Sequence, residues 1–294
     1  MVSDFVLLPQ FLTNGLVIGS GYVLVAVGLT LIFGILHIVN FAHGEFYMLG
    51  GFAAVLGSQL LGLPALPTLL FVAVLMAAFG LVVERVVFRP LSGKDPTNAI
   101  IASFGLSVLL QNLMLKTVGA EPMVPKSGFA SGAIQIGNVF ITAERIAIVA
   151  AMAVIVAALL LVLRYTWTGR ALRALSENPT VALISGVNVR RVSLITFMIG
   201  SVLAGLSGAL MSTVFMVQPN SGALIVMKAF IIVVVAGMGS IEGAIIVGLG
   251  LGLIESLVAG YMGNQLRDIV GFLIVILVLA VRPQGLFGLT TERS

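Results

Sequence analysis

Long apolar stretches separated by short polar segments make up most of this chain. A helix needs about 20 apolar residues to cross a bilayer. On that scale the pattern predicts nine segments, at 11–36, 44–62, 65–88, 97–117, 143–164, 192–215, 222–236, 241–261 and 268–282. The limits of the first and the seventh are poorly marked, so we expect eight to ten helices. The pattern therefore predicts an all-α, polytopic membrane protein with a single transmembrane domain over residues 1–294.

The composition agrees with a membrane protein and excludes several chemistries. The chain is 60% hydrophobic and only 9% charged, whereas about a quarter of the residues in soluble domains are charged. It has no cysteine, which excludes disulfides, thiolate metal sites and cysteine nucleophiles. The sequence contains neither a glycine-rich phosphate loop followed by Lys-Ser/Thr nor an HExxH zinc motif. We therefore expect no metal, no cofactor and no nucleotide hydrolysis by this chain.

Basic residues are unevenly distributed between the two sets of loops. Residues 85–96, residues 164–191 and the C-terminal end together carry ten of the 15 lysines and arginines. By the positive-inside rule these segments face the cytoplasm. The N-terminus precedes the first basic residue and lacks the basic region of a cleavable signal peptide, so we expect it to remain as a span that begins in the periplasm. The segment 118–142 is then an external loop, and the C-terminus is cytoplasmic.

The most informative polar segment is the loop at about 165–191. It reads as two short helices, the first over about 169–177. The second has Asn178 as its N-cap and Pro179 at its first position, and it ends at Gly186. A folded, basic loop of this size is typical of a docking surface for a cytoplasmic protein. The alternative is an ordinary basic loop that only fixes the topology.

Two further polar patterns interrupt the apolar segments. Asn40, His43 and Glu45 indicate either a cytoplasmic turn in which Asn40 caps the next helix, or a broken helix beside a substrate path. Ser103 and Gln111 belong to a stripe of polar residues that recur every four positions. The stripe either forms hydrogen bonds with neighbouring helices or lines a solute path. We take Asn40, His43, Ser103 and Gln111 as the candidate contacts of a weakly binding, largely apolar solute path.

Small residues and isolated charges mark the last third of the chain. A ladder of small side chains predicts a close helix seam, with the subunit interface as one hypothesis. The predicted helix-packing residues are Gly243, Ala244, Gly248, Gly252 and Ser256. The glycines within 237–240 predict a break, around which spans seven and eight form a re-entrant pair. Lys228, Glu242 and Glu255 need partners or water at membrane depth.

Several blocks in a fixed order resemble a known family. They are NFAHGEFYMLGG, VVERVVFRPL, GRALRALSENPTVALISGVNVRRVSLITFMIGSVLAGLSG, MKAFIIVVVAGMGSIEGAIIVG and RPQGLFG. Together they resemble the inner-membrane permease of branched-chain amino acid ABC importers, the first of its two permease types. The chain has Ala236-Gly237 where relatives can have two glycines, and Glu242 follows the Gly-Ser pair.

The resemblance implies a Type II importer-like permease with defined partners. These are a second, homologous permease subunit, two cytoplasmic ATP-binding subunits and a periplasmic solute-binding protein. It also implies an element within about 177–189 that inserts into the ATPase. On this sequence its residues are Glu177, Asn178, Pro179, Ala182, Gly186, Val187 and Asn188.

The implied cargo is a branched-chain or other hydrophobic amino acid, or a related small solute, carried across the bacterial inner membrane. The alternative is a self-sufficient channel or secondary transporter for a small solute such as urea or an amide. A secondary transporter would need a coupling carboxylate at the midplane, for which Glu45, Glu242 and Glu255 are the candidates.

Overall fold

The protein is a bundle of helices with one small β-hairpin. The computed structural model describes residues 2–36, 38–126, 132–136 and 139–288. Its helices are α1 (Val2–Leu36), α2 (His43–Gln59), α3 (Ala65–Val83), α4 (Pro96–Thr117), α5 (Ala143–Tyr165), α6 (Trp167–Glu177), α7 (Pro179–Ile184), α8 (Val189–Met211), α9 (Ser221–Ala236), α10 (Ile241–Tyr261) and α11 (Asn264–Val281). The antiparallel strands β1 (Ala133–Ile136) and β2 (Val139–Thr142) form the hairpin. The expected all-α membrane fold is confirmed.

The helices differ in length and in burial. Within the described residues, seven are long and apolar enough to cross a membrane, while α2 has 17 residues and α9 has 16. A π-helical turn (Glu84–Phe88) and a 3-10 turn (Arg89–Leu91) extend α3. Helices α1 and α8 are mostly buried, whereas α4, α5 and α11 lie on the outside of the bundle. The core is therefore built around α1 and α8.

Helix α1 begins nine residues before the predicted start of the first segment, since it runs from Val2 rather than from residue 11. Its 35 residues correspond to about 52 Å of helix, which exceeds the roughly 30 Å of a bilayer's hydrocarbon core. The early turns are held by the hairpin, where the backbone N–H of Phe140 donates to Gln10 Oε1 at 2.8 Å. Because this contact is made 130 residues away, the local pattern did not reveal it.

The small-residue ladder of α10 packs against α1. A Cβ added to Gly252 would lie 2.4 Å from the Cα of Gly19, so the two backbones are in close contact. The Ser256 hydroxyl donates to the carbonyl oxygen of Phe11 at 2.7 Å. Gly248 likewise lies against Val23 of α1, and Ala244 is buried. Both faces of this seam belong to one chain, and a part of the seam in a subunit interface stays a prediction.

Gly243 belongs to a different contact from the rest of the ladder. A Cβ at this position would lie 3.0 Å from the Phe287 ring. The segment around Phe287 covers the turn between α9 and α10, where Gly237 has a φ of +98°. The backbone N–H groups of Leu286 and Phe287 donate to the carbonyl oxygens of Val235 and Ala236 at 2.8 and 2.9 Å. The predicted break at 237–240 is therefore a covered turn between two antiparallel helices.

Helices α2 and α9 both begin inside the bundle, and their first turns touch. His43 Nε2 lies 3.1 Å from the carbonyl oxygen of Val25, which precedes the end of α1 by eleven residues, or about 16 Å. A Cβ on Gly44 would lie 2.1 Å from the carbonyl oxygen of Gly222, in the first turn of α9. The internal end of α9 is thus its start, which corrects the re-entrant pair predicted around 237–240.

The two short helices leave this junction in opposite directions. Helix α2 ends where the Gln59 side chain donates to the carbonyl oxygen of Val124 at 2.7 Å. Helix α9 ends at the opposite end of α1, where Gly239 approaches Gly34. Asn40 does not cap α2, because its Oδ1 accepts from the backbone of Ala42, two residues on. The structure thus favours the broken-helix interpretation over a turn capped by Asn40.

Candidate functional site

Helices α6 and α7 form a compact unit at one end of the bundle. Thr166 caps α6 by accepting from the backbone N–H of Gly169 at 3.2 Å. Gly169 is required there, because a Cβ would lie 2.0 Å from the carbonyl oxygen of Leu163 at the end of α5. Leu172 and Leu175 are buried beneath the helix. The unit is therefore packed rigidly onto α5 rather than hanging as a loose loop.

The boundaries of α7 follow the predicted capping residues. Asn178 Oδ1 accepts from the backbone N–H of Val181 at 3.0 Å, and Pro179 takes the first helical position. Gly186 adopts a φ of +83°, which favours glycine, just after the helix ends. The predicted helix from Pro179 to Gly186 is confirmed. Asn188, which the resemblance placed in the coupling element, also caps α8 by accepting from the backbone N–H of Arg191.

The residues of α7 divide between an inner and an outer face. Ala182 is 2% exposed and packs into the core, so its side chain is covered by this chain and is not open to a partner. Val181, Leu183 and Ile184 are 56%, 58% and 84% exposed. We call these three residues the α7 face. Sequence reasoning missed them, although three apolar residues in a short helix between polar segments were a usable signal.

The other predicted coupling residues surround the α7 face. Glu177, Asn178, Pro179, Gly186 and Asn188 are exposed, and Val187 is partly buried against the core. Five exposed arginines lie in or beside the same segment: Arg164, Arg170, Arg173, Arg190 and Arg191. A cavity of about 420 Å³ lies between α1, α5, α6 and α10, and Arg164, Arg173 and Glu242 are among its lining residues. This end of the molecule thus combines an apolar face with a basic surround.

The candidate path residues occupy two different environments. Asn40, His43 and Ser103 are fully buried, whereas Gln111 is partly exposed. The Ser103 hydroxyl accepts from the backbone N–H of Phe41 at 3.1 Å. One turn later on α4, Ser107 donates to Glu45 Oε1 at 3.0 Å. The serines therefore bind α4 to the start of α2, as expected if the stripe bonds neighbouring helices. A role in the solute path stays a prediction for all four.

A group of linked ionisable side chains, of which Tyr22, Lys228 and Glu255 are buried, lies between α1, α9, α10 and α11. We call it the ionic cluster, and its members are Tyr22, Lys228, Glu255, Arg267 and Asp268. Lys228 Nζ lies 2.7 Å from Glu255 Oε1 and 2.8 Å from Asp268 Oδ1. Arg267 donates through Nε to Glu255 Oε2 at 2.8 Å and through Nη2 to the Tyr22 hydroxyl at 2.7 Å. The Tyr22 hydroxyl donates in turn to Glu255 Oε2 at 2.8 Å.

The ionic cluster supplies the partners that we expected Lys228 and Glu255 to need. Its two cations and two carboxylates sum to zero formal charge, which limits the cost of holding them at depth. Glu242 needs no such partner, because it is exposed in the first turn of α10, near α6. Tyr22, Arg267 and Asp268 were not predicted as members. No local pattern in the sequence links Arg267 to Tyr22.

Comparison with known proteins places this arrangement in a family. The family described as "Branched-chain amino acid transport system / permease component" matches residues 11–279. The chain is 36% identical over 292 residues to the high-affinity branched-chain amino acid transport system permease protein BraD of Pseudomonas aeruginosa, covering 95% of each chain. It is 35% identical over 301 residues to the corresponding permease protein LivH of Salmonella typhimurium, covering 98% of each.

More distant similarities agree with this family and with the fold. A probable branched-chain amino acid transport permease protein LivH of Methanocaldococcus jannaschii is 28% identical over 97% of this chain and 94% of its own. The solved structure of PsaBC from Streptococcus pneumoniae in complex with Fab matches 97% of both chains with a TM-score of 0.54 at 16% identity, which supports the fold alone. The chain belongs to the family of permease components of branched-chain amino acid transport systems.

Proposed function

We propose that this chain is the permease subunit of an ATP-binding-cassette importer and forms half of the path for branched-chain or other hydrophobic amino acids. A second, homologous permease subunit supplies the other half. A periplasmic binding protein delivers the solute, and two cytoplasmic subunits bind and hydrolyse ATP. Family membership and the names of the relatives support the cargo.

The α7 face is the observation that carries the coupling part of the proposal. Exposed apolar side chains that cluster at a polar end of a protein mark an interaction surface. Here Val181, Leu183 and Ile184 project from a short helix that is capped at Asn178 and packed onto α5 through α6. A motion of the ATPase at this face reaches the spans directly, because α6 joins α5 and α8 follows α7. This build suits a coupling element for separate ATPase subunits.

The same proposal fixes the orientation in the bacterial inner membrane. The α6–α7 unit, the loop after α3 and the C-terminal segment face the cytoplasm, in line with the positive-inside rule. The N-terminus of α1 and the hairpin face the periplasm, where the binding protein docks. The exposed arginines around the α7 face then lie on the side of the ATPase subunits.

Reconstitution tests the proposed function. Proteoliposomes that contain both permeases and the ATPase subunits should take up radiolabelled leucine, isoleucine or valine when the binding protein and ATP are both present. The purified chain alone should show no ATP hydrolysis. Uptake by this chain alone, driven by a proton gradient, would instead establish the secondary-transporter alternative.

A further inference from the structure

A cavity of about 440 Å³ opens beside the ionic cluster and the start of α9. Its volume lies within the roughly 300–1,000 Å³ typical of small-molecule sites. Three kinds of group line it: charged groups of the ionic cluster, polar residues at the start of α9, and apolar residues of α1, α8 and α9. We name it the cluster cavity. Neither the family match nor the proposed function assigns a role to it.

We propose that the cluster cavity binds the solute as a zwitterion, an α-amino acid with an aliphatic side chain. The inference rests on the proposed function and adds to it where the solute pauses and which part of it is recognised. Asp268 faces the ammonium group, Arg267 and Lys228 face the carboxylate, and the apolar wall receives the side chain.

The charges of the cavity match those of a zwitterion. Both cations and Asp268 line it, while Glu255 is fully buried behind them and pairs with both cations. The Asp268 side chain is 64% exposed, so it remains open to an incoming ammonium group. Since the ionic cluster has no formal net charge, a neutral zwitterion adds no uncompensated charge, whereas an anion or a cation does.

The start of α9 adds a field of the correct sign, and three aliphatic side chains add an apolar surface. Asn220 and Ser221, at the start of α9, line the cavity, and a helix N-terminus favours a carboxylate. Ile18, Leu224 and Ile225 supply aliphatic surface. Polar groups that fix orientation inside a mainly apolar wall are the usual composition of a small-molecule site.

Binding should be weak, and the fold explains why. Each carboxylate of the ionic cluster already pairs with at least one cation of the protein, so the solute must compete with an existing ion pair. Weak binding suits a transit site, because a solute held tightly would not leave. We therefore expect saturation at millimolar rather than micromolar concentration.

A photoreactive leucine with a diazirine on its side chain is the probe for this site. The assembled importer in nanodiscs, without the binding protein, is irradiated with the probe, and labelled peptides are mapped by mass spectrometry. Labels should fall on the wall containing Ile18, Leu224 and Ile225. Unlabelled leucine should compete at millimolar concentration, whereas N-acetyl-leucine and leucinamide, which each lack one of the two charges, should not.

Two variants and one control separate recognition from folding. Asp268→Asn removes the partner of the ammonium group and should lower labelling by about tenfold. Leu224→Trp fills the cavity and should abolish labelling. Asp95→Asn makes the same chemical change at an exposed N-cap outside the cavity, where asparagine caps equally well, and should label like the unmodified chain.

The outcomes distinguish this inference from the proposed function. One outcome is that the importer takes up leucine with ATP while the probe labels other surfaces, or labels Asp268→Asn and Leu224→Trp as strongly as the unmodified chain. In that case the cluster cavity is not the site and the proposed function stands. If the importer takes up none of the three amino acids, the proposed function fails whatever the labelling pattern. Labelling that N-acetyl-leucine abolishes as well as leucine does would also overturn zwitterion recognition.

Discussion

Gly44 and Gly222 bring the first turns of α2 and α9 into backbone contact: a Cβ on Gly44 would lie 2.1 Å from the carbonyl oxygen of Gly222. Two short helices that start inside a bundle must be held by such contacts, because neither spans it alone. We predict that Gly44→Ala destabilises the protein by about 1–3 kcal/mol through overpacking. The measurement is unfolding of the purified chain by SDS titration. Gly105→Ala, in open space on α4, should be neutral or slightly stabilising, and a loss of stability equal to that of Gly44→Ala would refute the close contact.

Overpacking of the seam between α1 and α10 should destabilise the isolated permease, because both helices belong to one chain. We predict that Gly252→Leu lowers the melting temperature of the isolated permease, since Gly252 meets the backbone of Gly19. Gly250→Leu, two residues away with no atom in its path, should be mild. A Gly252→Leu chain that melts normally but no longer pairs with the second permease would return the seam to the subunit interface.

The stability lost when a charge is removed from the ionic cluster should depend on how deeply that charge is buried. We predict that Glu255→Gln costs about 3–5 kcal/mol of stability, because it leaves Lys228 and Arg267 at depth with one carboxylate between them. Asp268→Asn makes the same change at an exposed position and should cost less than about 1 kcal/mol. Thermal unfolding of both variants in one detergent gives the comparison. Equal losses would show that burial of Glu255 contributes nothing.

The two faces of α7 predict opposite failures. Ile184→Asp should abolish co-purification of the ATPase subunits while the melting temperature stays unchanged, since Ile184 is exposed. Ala182→Trp should lower the melting temperature, because Ala182 packs into the core. Leu61→Asp, an exposed apolar residue in the α2–α3 connection, is the matched control and should do neither. Normal ATPase capture by Ile184→Asp would leave the α7 face without its proposed role.

The orientation can be read directly, because the chain has no cysteine and single cysteines give no background. A membrane-impermeant maleimide added to spheroplasts should label Glu121→Cys at once. It should label Ile184→Cys only after the membrane is permeabilised. The reverse pattern would invert the proposed orientation.

The features that could be predicted from the sequence are those encoded locally. The limits of α7 were predicted because Asn178, Pro179 and Gly186 each act on their own turn of backbone. Seven of the nine predicted segments match described helices long enough to cross a membrane, because apolar length alone defines such helices, whereas the predicted spans at α2 and α9 are too short to cross alone. The seam of α10 was visible as a four-residue repeat, but its partner on α1 was not, since the repeat does not indicate which helix it faces.

What the sequence left open depends on distant neighbours. Tyr22 and Arg267 share a hydrogen bond although 245 residues separate them, so no local pattern could place them together. Helix α7 has six residues, too few to show a periodicity, and the inward direction of Ala182 was therefore not readable. The depth at which α2 starts depends on His43 reaching Val25, which is likewise a tertiary contact.

The segment that covers the α9–α10 turn also sets an order of events during synthesis. The N–H groups of Leu286 and Phe287 satisfy the carbonyl oxygens of Val235 and Ala236, yet the ribosome makes them after all eleven described helices. Until these residues are made, the carbonyl groups at the end of α9 lack these hydrogen-bond donors, and unpaired carbonyl groups are costly when buried. A nascent chain stalled before this point should thus be recognisable to membrane quality control. Pairing of Leu286 and Phe287 with the end of α9 is therefore a late structural step in maturation.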